Sequence, residues 1–180
     1  MLRSKPVKRL AFVIPVLLVG CAAHPPAGWA QGGVGLGLPH ARWDRGDATV
    51  DLLPDGRVLI AGEHLYSLDA AGRVYGPEGE PFALLGPEGQ LVGRDDQALG
   101  VVGVRNASAP GAHTAWLTVG ERGEVVRYDD EGERHSDGVW YGCGAALPTC
   151  TLATHLVVLN EVRRRPHVGF GFGVGIGIGR

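Results

Sequence analysis

The chain has 180 residues, with 17 Lys and Arg against 19 Asp and Glu, for a formal charge of −2. That length supports one domain with its own core. A chain whose positives do not outnumber its negatives, without a basic stripe, argues against nucleic acid and against anionic lipid surfaces as partners. Helix signals are weak throughout, and short apolar runs separated by acidic-Gly turns prevail among thirty glycines and twelve prolines.

In chain order, the first signal is a basic stretch, Arg3, Lys5, Lys8 and Arg9, followed by Leu10 to Val19 without a charge. A basic region, a short apolar run and small residues after it have the form of a secretory signal peptide. The run is too short for a spanning helix, which needs about 20 residues. It ends in Leu18-Val19-Gly20-Cys21, which resembles the lipobox of bacterial lipoproteins. The resemblance implies cleavage before Cys21, so that 1–20 is the signal peptide, and diacylation of the Cys21 thiol. Ala22, where Asp would retain a lipoprotein in the inner membrane, implies the outer membrane. Removal of the four positives leaves 13 basic against 19 acidic residues, a mature charge near −6.

Residues 21–47 are expected to be the lipid-anchored cysteine and a flexible tether. Pro25-Pro26, Gly28, Gly32 and Gly33 resist a helix and give no apolar period. From residue 48 to 167 the pattern predicts a β domain. Short apolar runs flank Pro54-Asp55-Gly56, Asp69-Ala70-Ala71-Gly72, Pro87-Glu88-Gly89 and Glu121-Arg122-Gly123, each a hairpin signal. Gly56, Gly72, Gly89 and Gly123 are 16, 17 and 34 residues apart. One hairpin per unit, with a degenerate turn near Asn106 to Pro110, accounts for the doubled gap. The fold class expected is all-β, an antiparallel meander of about eight to ten strands closing as a sandwich or small barrel. Leu152, Leu156, Leu159 and Val162 fit a helical stripe, whereas Leu152, Thr154, Leu156 and Val158 alternate; the Thr and Val content favours a buried strand.

Chemistry-bearing residues are few. With Cys21 acylated, Cys143 and Cys150 are the only spare cysteines of an exported chain and are expected to form a disulfide. A thiol metal site with His135 or His155 fits no usual zinc spacing. His135-Ser136-Asp137 carries triad letters, but three neighbours cannot converge as a triad must. The acidic run Asp129-Asp130-Glu131-Gly132-Glu133 has its Gly misplaced for a calcium loop and is expected to be a hairpin tip. Trp140-Tyr141 is expected to pack against the bridge. Arg163-Arg164-Arg165 is expected to be a solvated chain end.

No catalytic residue, cofactor or metal is assigned. The expected protein is a non-enzymatic outer-membrane lipoprotein with a structural or interaction role, held by lipid on Cys21 and meeting an unidentified envelope protein. Two alternatives stand beside it. One is an envelope hydrolase or glycan-active enzyme, which needs converging acids or a nucleophile–base pair. The other is a homo-oligomer whose tails form a membrane β-structure. In residues 168–180, Val168, Phe170, Phe172, Val174, Ile176 and Ile178 alternate with glycine. As a strand this tail has one apolar face and one bare one. It is expected to dock on its own domain, with Val34-Gly35-Leu36-Gly37-Leu38 as its partner.

Overall fold

The computed structural model describes residues 24–129 and 131–164. Cys21, the expected signal peptide and the tail 168–180 lie outside the described residues. Twelve strands form the body: β1 (Ala41–Asp44), β2 (Thr49–Leu52), β3 (Arg57–Ile60), β4 (Glu63–Leu68), β5 (Arg73–Tyr75), β6 (Pro81–Leu85), β7 (Gln90–Gly93), β8 (Ala98–Val102), β9 (Asn106–Ser108), β10 (Leu117–Val119), β11 (Glu124–Tyr128) and β12 (Arg134–Tyr141). Each pairs antiparallel with its sequence neighbours, and β1 pairs with β12 to close a barrel. The fold is all-β as expected, with more strands than the eight to ten read from the sequence.

Alternation sets the two faces. Val50, Leu52, Val58, Leu68, Val74, Leu91, Leu117 and Val119 are buried inside, while Arg42, Asp44, Arg57 and Glu63 face outward and are exposed. That is the reverse of a membrane-spanning barrel, whose outer band is apolar.

The lumen is filled by a helix, α1 (Leu147–Arg164). This corrects the expectation of a buried strand over 152–162. Every residue from Thr149 to Leu159 is buried, so no polar face exists to reveal a 3.6-residue period. A helix buried all round is one enclosed by other elements. The helical stretch Gly144–Arg164 is long and apolar enough by composition to cross a bilayer, but here strands surround it. Its close approach to β8 occurs at Gly100, φ +125°, where a Cβ would lie 2.7 Å from the His155 ring.

The two ends of the barrel differ. At the first, four turns share one geometry. In Leu53–Arg57 the first residue's N–H donates to the fifth residue's carbonyl and the Gly56 N–H donates to the first's, at 2.9 and 2.8 Å. Asp69–Arg73, Gly86–Gln90 and Gly120–Glu124 repeat both bonds. This is a type I turn closed by a left-handed residue. Gly56 has φ +85°, and a Cβ there would collide with the Leu68 carbonyl. Each turn is braced by the next hairpin, through Leu68 N–H to Gly56, Leu85 to Gly72, Val102 to Gly89 and Trp140 to Gly123. The degenerate turn lies at Gly103–Asn106 rather than 106–110. It is one residue shorter, and Val119 N–H reaches the Arg105 carbonyl in the same bracing role. The hairpin repeat is therefore structural.

The domain begins earlier in the chain than residue 48. Ala41–Asp44 is β1, and residues 24–40 lie along the barrel. Gly33, Val34 and Leu36 donate N–H bonds to the carbonyls of Ala71, Leu85 and Ala70. Leu36 is buried, and Thr149 Oγ1 at the start of α1 donates to the Gly37 carbonyl at 2.6 Å. This strap thus covers the first end. Because β12 already pairs with β1, the tail is not needed to close the sheet, and residues 34–36 are bonded elsewhere.

Candidate functional site

The first end, called here the disulfide end, carries the Cys143–Cys150 bridge, with Cα atoms 6.1 Å apart. It ties the end of β12 to the first turn of α1, as expected from the cysteine count. Beside it the Trp140-Tyr141 pair divides. Trp140 is buried, stacks on Trp43 at 5.7 Å between ring centroids and donates its indole N–H to Thr154 Oγ1 at 2.8 Å. Tyr141 is 61% exposed.

Inside the lumen, α1 places His155 between two strands. Trp116 Nε1 donates to His155 Nδ1 at 3.1 Å, and His155 Nε2 lies 2.8 Å from the Leu99 carbonyl. These partners require the neutral tautomer with its proton on Nε2. Burial depresses its pKa to about 4, with the bond to Leu99 acting in the opposite direction. Both ring nitrogens are engaged, so this histidine is part of the core. The thiol metal set does not exist: the cysteines are bridged and His155 has no free nitrogen.

The opposite, polar end holds the strongest concentration of charge. Where α1 emerges, Arg45 bonds Glu161 and lies 3.2 Å from Asp137, while Arg127 lies 3.2 Å from Glu161 and 3.5 Å from Asp137. The Arg45 side chain is only 11% exposed. Burial acts to lower its pKa, and the bonds to Glu161 and Asp137 outweigh that and raise it. The guanidinium also stacks over Trp43, 4.6 Å from the ring centroid. Two arginines and two carboxylates neutralise one another, Arg45 from the turn after β1 and the others from β11, β12 and α1.

Next to this quartet is an open groove of about 400 Å³, lined among others by Trp116, Tyr128, Asp129, His135 and Ser136. His135 Nε2 lies 2.7 Å from Asp129 Oδ2. The triad letters are pulled apart as expected: His135 pairs with Asp129, while Asp137 faces the arginines. Asp129, Glu131, Gly132 and Glu133 of the acidic run lie at the β11–β12 tip. Asp129 Oδ1 accepts the N–H groups of Glu131 and Glu133 at 3.1 and 2.8 Å. The bond to His135 is the chief cause that holds the Asp129 carboxyl below its ordinary pKa. Among the described residues, no group of three or more His, Cys, Asp or Glu is placed to hold a metal ion. Arg163 and Arg164 lie in the last, exposed turn of α1, where cations complement the helix dipole.

Sequence reasoning missed Arg45, Arg127, Glu161, Trp116 and the role of His155. Glu161 is 116 residues from Arg45 and 34 from Arg127, and no local pattern marks such partners. The chain matches no family model, no curated protein and no solved structure.

Proposed function

We propose that this chain is a lipid-anchored protein of the bacterial outer membrane, with a non-enzymatic structural or interaction role. The observation that carries the reading is the filled lumen. Barrels that bind small ligands use their interior, and here α1 occupies it, with Thr149, Thr151, Thr154 and His155 all hydrogen-bonded. What remains for contact with other molecules is the outer surface and its two ends. The lipobox-like Leu18-Val19-Gly20-Cys21 supports the anchor. The glycan-active alternative has the groove at the polar end as its place to work. Its two acids are engaged there, Asp129 by its own turn and His135, and Asp137 by Arg45 and Arg127.

The test is Cys21→Ser in the native host with labelled palmitate. The native chain should take up label and fractionate with outer membranes. The variant should lose the label and become soluble or stall with its signal attached. A processed variant that still sediments with membranes overturns the lipid anchor.

A further inference from the structure

The groove at the polar end is built around a ring that the core holds still. Trp116 stands just before β10, and its indole N–H is committed to His155 inside the lumen, with the two rings 5.2 Å apart. That bond fixes the indole before any ligand arrives, so binding costs little side-chain ordering. Tyr128, at the end of β11, is tied to the same place: its N–H donates to the Trp116 carbonyl at 2.9 Å. Its hydroxyl accepts from Thr118 Oγ1 at 3.5 Å, a long contact that leaves the phenol proton to donate elsewhere. From α1 comes Val162, 42% exposed. An indole, a phenol and an aliphatic side chain thus line one groove of about 400 Å³. Ligand clefts span about 300–1,000 Å³, and this one falls within that range.

The polar groups of the groove divide into those already matched and those left over. Asp129 Oδ1 accepts two backbone N–H groups, and Oδ2 lies 2.7 Å from His135 Nε2. Both Asp137 carboxylate oxygens face arginine, Oδ1 at 3.2 Å from Arg45 and Oδ2 at 3.5 Å from Arg127. A cationic ligand would therefore meet carboxylates that already have their donors. An anionic one would meet Arg127 already held by Asp137 and Glu161. Among the described residues, the groups left over are uncharged: His135 Nδ1, the Ser136 hydroxyl and the Tyr128 hydroxyl. With the imidazole proton on Nε2 toward Asp129, Nδ1 accepts, while the two hydroxyls both donate and accept.

We propose that this groove is a non-catalytic glycan subsite for an uncharged pyranose with equatorial hydroxyls, of the glucose or N-acetylglucosamine type. Such a ring carries C–H groups on its two flat faces and hydroxyls around its edge. One face lies on an aromatic ring, where C–H groups meet the electron-rich π surface. The edge exchanges hydrogen bonds with His135, Ser136 and Tyr128. An axial hydroxyl would press its oxygen against the ring instead. Glycoside cleavage needs a carboxylic acid that protonates the leaving oxygen, and both carboxylates here are tied up as acceptors, so the sugar is held and released unchanged. The inference rests on the non-enzymatic reading above and gives it a ligand class.

The test titrates the full chain, in a sugar-free detergent, with cellotriose and with the trimer of N-acetylglucosamine. The cationic glucosamine trimer and the anionic trigalacturonate serve as charged counterparts. Calorimetry should show saturable binding of at least one neutral trimer, several-fold tighter than either charged one. His135→Ala and Ser136→Ala lie at exposed positions and should each weaken it several-fold with the melting curve unchanged. Trp116→Leu should abolish it, and its own melting curve shows whether the barrel survives. Absence of saturable binding for both neutral trimers up to about 10 mM overturns the subsite. So does a preference for a charged trimer, or affinity that persists in both the His135 and Ser136 variants. Mass spectrometry of the sugar after incubation separates the two failures. An intact trimer without binding defeats the subsite alone, and a shortened trimer defeats the non-enzymatic reading.

Discussion

At the disulfide end, four of five hairpin turns repeat one five-residue geometry, each braced by the hairpin that follows. At the polar end only Gly76–Glu80 and Asp129–Glu133 follow that geometry. The other connections there range from the two residues 61–62 to the eight of 109–116. The regular end is held by apolar packing, a disulfide and backbone bonds. The irregular end is held by charges brought together from distant parts of the chain. A repeated unit can specify one rim of a barrel cheaply, and it leaves the other rim free to vary and to carry polar groups.

Three changes would break or sharpen that contrast. The largest effect belongs to the regular end. Trp140→Ala removes a buried indole, its stack on Trp43 and the bond to Thr154, and should cost about 3–5 kcal/mol of stability. Urea unfolding measures this, and a loss below about 1 kcal/mol would mean that the packing there is not what holds the rim.

Next is His155, which lies between the two ends. Its folded pKa, about 4, is below the unfolded value of about 6.5. Below pH 6.5 the unfolded chain therefore binds a proton that the folded chain refuses. Stability is complete above pH 6.5 and is lost as pH falls toward 4, by about 3 kcal/mol. His155→Gln can keep both bonds, to Trp116 and Leu99, and should flatten this slope. An unchanged acid slope in the variant would assign the effect to carboxylates instead.

The smallest effect belongs to the polar end. Glu161→Gln leaves Arg45 and Arg127 with Asp137 alone and should cost about 1–2 kcal/mol, read by the same urea titration. The loss should change little between low and moderate salt, because Arg45 is mostly shielded from solvent. A cost that vanishes in moderate salt would make the quartet an ordinary surface pairing.

The same contrast explains what could be read beforehand. The turns, the all-β class and the disulfide rest on local chemistry: a glycine at a left-handed position, strand alternation, and two cysteines seven residues apart. The fourth turn was misplaced because it is one residue short and has no glycine at the corresponding place. α1 was misread because a helix inside a barrel buries every face, which removes the period that identifies a helix. β1 was hidden in a Gly- and Pro-rich stretch because four residues, Ala41 to Asp44, give only two inward side chains, Ala41 and Trp43. The quartet at the polar end had no local signature at all.

The pairing of β1 with β12 also bears on how the protein is made. Arg42 and Tyr141, 99 residues apart, are register partners, and the element that fills the lumen is synthesised after both. Closing so large a loop must precede the reward of the contacts it brings, which slows folding. A chain threaded through an export channel would have no stable barrel until its last helix had crossed. For an exported chain, translocation and folding would be kept in sequence by the topology itself, and a product truncated before residue 147 would lack the helix that fills the lumen.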